Sequence, residues 1–413
     1  MIQIFLATAL IGVGLSFGKL YLFHISFLLI SLSIPFLNIK FRIKNKLSFI
    51  FLFPFLMFAF YALSILWAEN TFYAIQYLIY LFFGLSIIYY SLIFIQNDKS
   101  LLQVLKILGG VFLIEMIICL LESYTSFRYP ISPYSHYITY FAHEFKIDPL
   151  LGDDIKTIIL SYPTGFHWNP NNLATAFAIL LPFLLFHKNA LIKWGGTILT
   201  LVVIYNSNSR GVLIASILML VYFFVTNLKV KYILFGVFIS ICFLLIPNDL
   251  FKINSIKTKL YGSSNAVYSL MFESKDVNNS IGARQKLMEN ALTELNQVHW
   301  LGVGGGNSKY IQEKRGKVAE KLTSLHNFWL EVLVDAGIFL FIGFLAWYIL
   351  ILKKLNTLEY SKNNNISYLA KSTKLSLLGV IVSAVSCSSI IYFFPFWILI
   401  GLSFVVINLS DFH

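Results

Sequence analysis

The stretch Leu322–Leu352, LTSLHNFWLEVLVDAGIFLFIGFLAWYILIL, opens on polar residues around His326 and turns into an apolar run at 327–352. A helix rises about 1.5 Å per residue, so about 20 apolar residues cross a hydrocarbon layer of about 30 Å. The run is long enough to span. Its imidazole-bearing mouth is where chemistry is sought, although a lone histidine at a helix end reads equally as a cap or interface residue.

Composition extends that reading to the whole chain. The 413 residues are 58% hydrophobic and 17% aromatic but only 12% charged, with a mean hydropathy of +0.76. Soluble domains carry about 25% charge and could not hide so many Phe, Leu and Ile side chains. The expected fold is an all-α polytopic membrane protein of about 12 transmembrane helices with a large, partly helical extracytoplasmic loop. Spans are read near 2–17, 20–38, 47–67, 71–95, 101–121, 172–187, 191–206, 211–227, 232–247, 327–352, 375–391 and 393–409. The start, MIQIFLATALIG, has no basic n-region and no small-residue cleavage site, so it reads as a first span rather than a removed signal.

Charge orients these spans. Lys40, Arg42, Lys44 and Lys46 follow the second, Lys99 the fourth, Lys188 the sixth, Lys229 and Lys231 the eighth, and Lys353, Lys354, Lys362, Lys371 and Lys374 the tenth. Basic residues collect in short cytoplasmic connections, which predicts cytoplasmic N- and C-termini. The same bias accounts for the net charge of +12 without a nucleic-acid partner, since no basic–aromatic surface is evident. The chain then divides into N-terminal transmembrane helices (1–121), a first extracytoplasmic loop (122–170), central transmembrane helices (171–247), a large extracytoplasmic loop (248–325) and C-terminal transmembrane helices (326–413). The first loop carries Tyr124, Tyr129, Tyr134 and Tyr137; the second carries eleven Lys and Arg residues, which long translocated segments tolerate.

Within the second loop, SIGARQKLMENALTEL from Ser280 puts Leu287, Met288, Ala291 and Leu295 at helical spacing. Arg284 precedes Leu287 and Met288 by three and four residues and so shares their face. An arginine there points to an inner cavity or to lipid headgroups rather than to bulk solvent.

Three further stretches bear polar groups at expected outer span ends. In Asn206-Ser-Asn-Ser-Arg210-Gly211, Ser207 or Ser209 can cap the next helix, and Arg210 would stand beside free N–H groups at a positive dipole end. Those features suit a phosphate or another anion; a polar stop between two spans is the plain alternative. In Tyr162-Pro-Thr-Gly-Phe-His-Trp-Asn-Pro-Asn-Asn172, Asn171 or Asn172 can cap the sixth span. His167 and Trp168 there suit either an interfacial belt or a sugar face and its hydroxyls. His299-Trp-Leu-Gly-Val-Gly-Gly-Gly-Asn307 follows no strand and reads as a tight glycine turn, not a nucleotide loop. The eight histidines show no H-E-x-x-H spacing, and Cys119, Cys242 and Cys387 lie in apolar runs, so neither a metal site nor a disulfide framework is expected.

Taken in order, Ser209-Arg210-Gly211, Arg284 within A-R-Q-K-L-M-E-N-A-L, Trp300-Leu-Gly-Val-Gly and His326-Asn-x-x-Leu330…Asp335-Ala-Gly337 resemble the O-antigen ligase and Wzy-type O-antigen polymerase superfamily of bacterial envelope enzymes. The resemblance covers about Pro163–Phe344. It implies a metal-independent glycosyltransferase, without a cofactor, that moves saccharide from an undecaprenyl-pyrophosphate-linked donor to a glycan or lipid acceptor on the outer face of the membrane. By that resemblance Arg210 and Arg284 would hold the pyrophosphate and His326 would be the general base. His167, Trp168, Asn171, Asn172, Ser209 and Asn327 remain candidate glycan-binding or cavity-lining residues, while Lys314, Arg315, Lys317 and Lys321 carry no assigned role. Besides membrane lipids, the expected partners are the lipid-linked oligosaccharide and its acceptor. The competing readings are a transporter or flippase of lipid-linked saccharides and a sensor or scaffold. A transporter should carry charged or helix-breaking residues at mid-membrane in related halves, whereas Glu115 stands alone deep in an early span.

Overall fold

The computed structural model describes residues 1–36, 48–147, 153–227, 280–315 and 324–410. The expected ninth span at 232–247, with Cys242, and Lys317 and Lys321 lie outside the described residues. The described chain is helical, apart from a two-stranded antiparallel hairpin pairing Ser16–Phe17 with Leu20–Tyr21. Its helices are α1 (Ile2–Ile11), α2 (Leu22–Ser33), α3 (Phe49–Ser64), α4 (Thr71–Phe94), α5 (Asp98–Tyr124), α6 (Asp153–Leu160), α7 (Pro170–Leu185), α8 (Ala190–Asn206) and α9 (Arg210–Asn227). Within the second long connection lie α10 (Ser280–Gln297) and α11 (Asn307–Arg315), followed by α12 (Phe328–Leu358), α13 (Asn364–Ser383) and α14 (Phe394–Ser410). Of these, α4, α5, α9 and α12 are long and apolar enough to cross a membrane, and α1, α2, α3, α7, α8 and α14 are shorter apolar helices.

The core is built around α14, which is buried at every residue from Phe394 to Leu409. A helix apolar all round belongs at the centre of a bundle, and α14 packs along α4 and α13 and touches α1, α7 and α12.

The C-terminal region departs from the expected 375–391 span. Helix α13 begins at Asn364 and stops at Ser383, and residues 384–393 form turns. Hydropathy misplaced it because the first half of α13 is polar, and at its middle Ser372, Thr373 and Lys374 are buried and satisfied internally. Lys374 pairs with Glu359 at 2.5 Å and donates to Asn356 Oδ1 at 3.0 Å. Ser372 and Thr373 donate to the carbonyls of Tyr368 and Leu369 at 2.9 and 2.7 Å. Hydroxyls that bond the preceding turn cost a helix little.

One end of the bundle gathers the connections that matter for function. There Asn70 N–H donates to Asn307 Oδ1 (2.8 Å), Trp67 Nε1 to the Gly302 carbonyl (3.2 Å) and Asn206 Nδ2 to Tyr124 Oη (3.1 Å). Helix α10 lays Leu287, Ala291 and Leu295 against Ile311, Leu325 and Val334, forming a small second core beneath the large loop.

Candidate functional site

Arg210 is the exposed first residue of α9, at the positive end of that helix. The turn before it is pinned, because Asn208, at φ +56°, donates through Nδ2 to Tyr162 Oη at 3.0 Å. Neither serine caps α9 as expected: Ser207 Oγ donates to the Ile204 carbonyl at 2.6 Å, and Ser209 Oγ is buried without a partner among the described residues. Gly211 lets α9 abut the 384–393 turns, since an added Cβ would collide with Ser386 Oγ.

Arg284 stands half-buried on α10. Burial lowers its guanidinium pKa, and the positive charge of Arg210 lowers it further. His326 is half-buried between α10 and the 384–393 turns. Burial pushes its pKa below the ordinary histidine range and the Arg284 charge pushes it lower, while the Ser386 backbone partly opposes both. Arg210 thus stands within electrostatic reach of Arg284, and Arg284 within reach of His326, although the three are distant in sequence. Two guanidiniums close enough to disfavour each other's charge are a pair that an anion would stabilise.

His326 has φ +47°, in the left-handed region that non-glycine residues seldom occupy, and its Nδ1 is buried without a hydrogen-bond partner of good geometry. It is not the cap of α12. That role falls to Asn327, whose side chain accepts from Leu330 N–H at 3.3 Å.

A cavity of about 260 Å³ opens beside His326. Its wall comprises Tyr77 of α4, Ser308 and Lys309 of α11, Glu331 of α12, Ser388 and Tyr392 of the 384–393 turns, Lys146 at an exposed rim, and Ser324 and Leu325. Arg210 and Arg284 are not among these lining residues.

The other expected residues stand behind the site. Buried His167 faces Glu115 at 3.5 Å, and Glu115 also accepts from Phe166 N–H at 2.9 Å, so that pair braces the turn before α7. Trp168 lies beside His143 (4.7 Å between ring centroids) and under the Lys146 ammonium at 5.4 Å; it meets the cavity only through Lys146. Asn169, rather than Asn171 or Asn172, caps α7 by accepting from Asn171 N–H at 2.8 Å. Asn172 Oδ1 accepts from Ser388 N–H and Cys387 Sγ, both at 3.2 Å, which ties α7 to the turns facing His326.

Sequence reasoning missed Glu331, Tyr77 and Tyr392, and gave Asp335 a place in a motif but no role. Glu331 Oε1 accepts from Tyr77 Oη at 2.9 Å, and Tyr77 and Tyr392 meet edge to face at 6.3 Å. Asp335 takes the N–H groups of Gly306 and Ser308 at 2.8 Å each, so the glycine turn spends its donors on fastening α11 to α12 rather than on the cavity. A signal was present: two carboxylates four residues apart on one face of an otherwise apolar span.

Residues 195–345 match the family model described as O-antigen ligase, a segment that runs from α8 into α12 and contains Arg210, Arg284 and His326. The chain is also similar to the teichuronic acid biosynthesis protein TuaE of Bacillus subtilis (strain 168). The two are 25% identical over 443 aligned positions, which cover 98% of this chain and 82% of the relative. This multi-pass membrane protein is therefore similar to the O-antigen ligase family over the segment that contains Arg210, Arg284 and His326, and to a teichuronic acid biosynthesis protein over nearly its whole length.

Proposed function

We propose that the protein is a glycosyltransferase that moves saccharide from an undecaprenyl-pyrophosphate-linked donor to an acceptor hydroxyl on the extracytoplasmic face of the membrane. The supporting observation is that Arg284 lies within electrostatic reach of both Arg210 and His326, with a cavity beginning at the histidine. Arg210 and Arg284 hold the pyrophosphate. As the anomeric C–O bond breaks, its electron pair and charge pass to that leaving group, where two guanidiniums stabilise them. His326, neutral at pH 7 because burial and Arg284 disfavour its protonated form, takes the acceptor's hydroxyl proton while the new glycosidic bond forms. Attack from the face opposite the pyrophosphate inverts the anomeric centre. The reaction needs no metal in this scheme, because arginines take the place a cation would have at the leaving group.

Transfer to a second lipid-linked repeat makes the protein a polymerase; transfer of a finished glycan to another acceptor makes it a ligase. Similarity to a teichuronic acid biosynthesis protein supports polysaccharide assembly in either form. Glu115 has a local structural role, since its Oε1 accepts from the Phe166 N–H and faces His167, and that role does not call for a transporter.

The test is turnover in nanodiscs with lipid-linked oligosaccharide. His326→Ala should lower kcat by about 10²–10⁴-fold, and Arg210→Ala by about 10²–10³-fold, as for lost oxyanion donors. Wild-type turnover by folded His326→Ala protein would overturn the mechanism.

A further inference from the structure

Building on the proposed transfer reaction, we infer that the cavity beside His326 is the acceptor-sugar subsite and that Glu331 is its hydroxyl-binding residue. Three observations carry this. The cavity starts at the proposed base, yet neither pyrophosphate-binding arginine lines it. A displacement with inversion puts the acceptor on the opposite side of the anomeric carbon from the leaving group, and a void touching the base but not the arginines has that position. Its volume of about 260 Å³ falls just below the usual range for ligand pockets, about 300–1,000 Å³, and suits one sugar ring rather than a whole repeat unit.

The chemistry of its wall is saccharide chemistry. Tyr77 and Tyr392 supply aromatic rings against which the C–H face of a pyranose packs, while Ser308, Lys309 and Ser388 bring polar groups. Glu331 is 5% exposed, and only half of its carboxylate is used. Oε1 accepts from Tyr77 Oη at 2.9 Å, whereas Oε2 is buried without a hydrogen-bond partner among the described residues; the Ser389 hydroxyl approaches the group without completing a bond of good geometry. A buried carboxylate oxygen left unpaired is costly, and a bound hydroxyl offsets that cost. The terminal torsion of a glutamate is soft, so turning Oε2 to such a hydroxyl meets little resistance. The acceptor is then a sugar that presents one hydroxyl to His326 and another to Glu331.

The test separates acceptor from donor. The lipid-linked repeat unit serves as donor, and the repeat-unit oligosaccharide released from it by mild acid serves as acceptor, with full-length protein in nanodiscs. Glu331→Gln keeps the shape and the Tyr77 contact but weakens the acceptor hydrogen bond. It should raise the acceptor KM by about 3–10-fold, as for a weakened hydrogen bond, with donor KM and kcat changed less than about twofold. Lys309→Trp, at the half-exposed wall, should raise acceptor KM by occlusion and keeps the test open if the glutamate variant does not fold. An unchanged acceptor KM in folded Glu331→Gln or Lys309→Trp protein, or a rise confined to donor KM, would overturn the subsite. The failure of the transfer mechanism itself would show differently, as undiminished turnover by His326→Ala.

Discussion

His326 owes its chemical character to neighbours that lie far away in sequence. Burial and the Arg284 charge both hold its pKa below the usual value of about 6.5. For a base that works as the neutral imidazole, the sign follows directly: activity is fully present above that range and is lost only as pH falls through the lowered pKa. The acid limb of the kcat/KM profile should therefore lie below about pH 6.5. Arg284→Ala removes one lowering influence, so the limb should move upward in pH along with the loss of rate; Arg284→Lys should lose rate and leave the limb near its wild-type position. Bound pyrophosphate neutralises the same charge, so the acid limb of kcat should sit at higher pH than that of kcat/KM. A pH–rate series on the three proteins checks all of this, and an unmoved limb in Arg284→Ala would disconnect the arginine from the base. Which residue types carry the proposed chemistry was legible from sequence, since two arginines and a histidine at span mouths were all singled out. Glu331 was not: its spacing from Asp335 is visible in the sequence, but sequence gives no sign of whether its oxygens are paired.

Among the elements, the contact between α12 and the glycine turn decides whether the site is assembled. Gly337 interrupts α12 with φ +75° and ψ 175°, a region essentially closed to other residues. A Cβ there would also meet the Trp300 carbonyl at 2.7 Å and the Leu301 backbone. Strain of about 1–3 kcal/mol plus a clash with backbone makes Gly337→Ala strongly destabilising. It should lower the melting temperature in detergent, whereas Gly110→Ala in α5, where nothing lies within 4 Å of the added carbon, should leave it unchanged or slightly raised. Asp335→Asn, which weakens the hold on the Gly306 and Ser308 N–H groups, should cost activity through a displaced α11 rather than through lost acid–base function; its pH–rate profile should keep the wild-type shape. The Asp-Ala-Gly signature was readable as a motif, but its purpose was not. The fastening runs between segments some 30 residues apart, beyond the reach of any local pattern.

For the whole molecule, polar groups of the candidate site gather at one end of a bundle centred on α14, and the positive-inside rule predicts that the opposite end, which carries Lys99, Lys188 and Lys362, faces the cytoplasm. Cysteine substitution tests this. In a background lacking the native cysteines, Tyr140→Cys, 77% exposed in the wild-type structure, should react with a membrane-impermeant maleimide in intact cells. Lys362→Cys, exposed in the connection between α12 and α13, should react only after permeabilisation. The reverse pattern would turn the protein over. A deletion strain distinguishes the two transfer products: single repeat units left at the surface mark a lost polymerase, and full-length chains held on the lipid carrier mark a lost ligase.

Composition and hydropathy by themselves determined that this is a helical membrane protein, because burying so much apolar surface leaves few other solutions. Residue order also pointed to the O-antigen ligase superfamily and to Arg210, Arg284 and His326. Only the tertiary structure decided that α13 is a helix despite its polar first half, since its lysine and hydroxyls find partners on neighbouring turns and helices. Tertiary structure likewise turned residues 384–393 from an expected span into the wall facing His326, and brought Tyr77, Glu331 and Tyr392 around one cavity. The physical reason is common to these cases. Hydropathy records how much a segment gains by leaving water, whereas the worth of a buried polar group depends on which partner the fold sets against it.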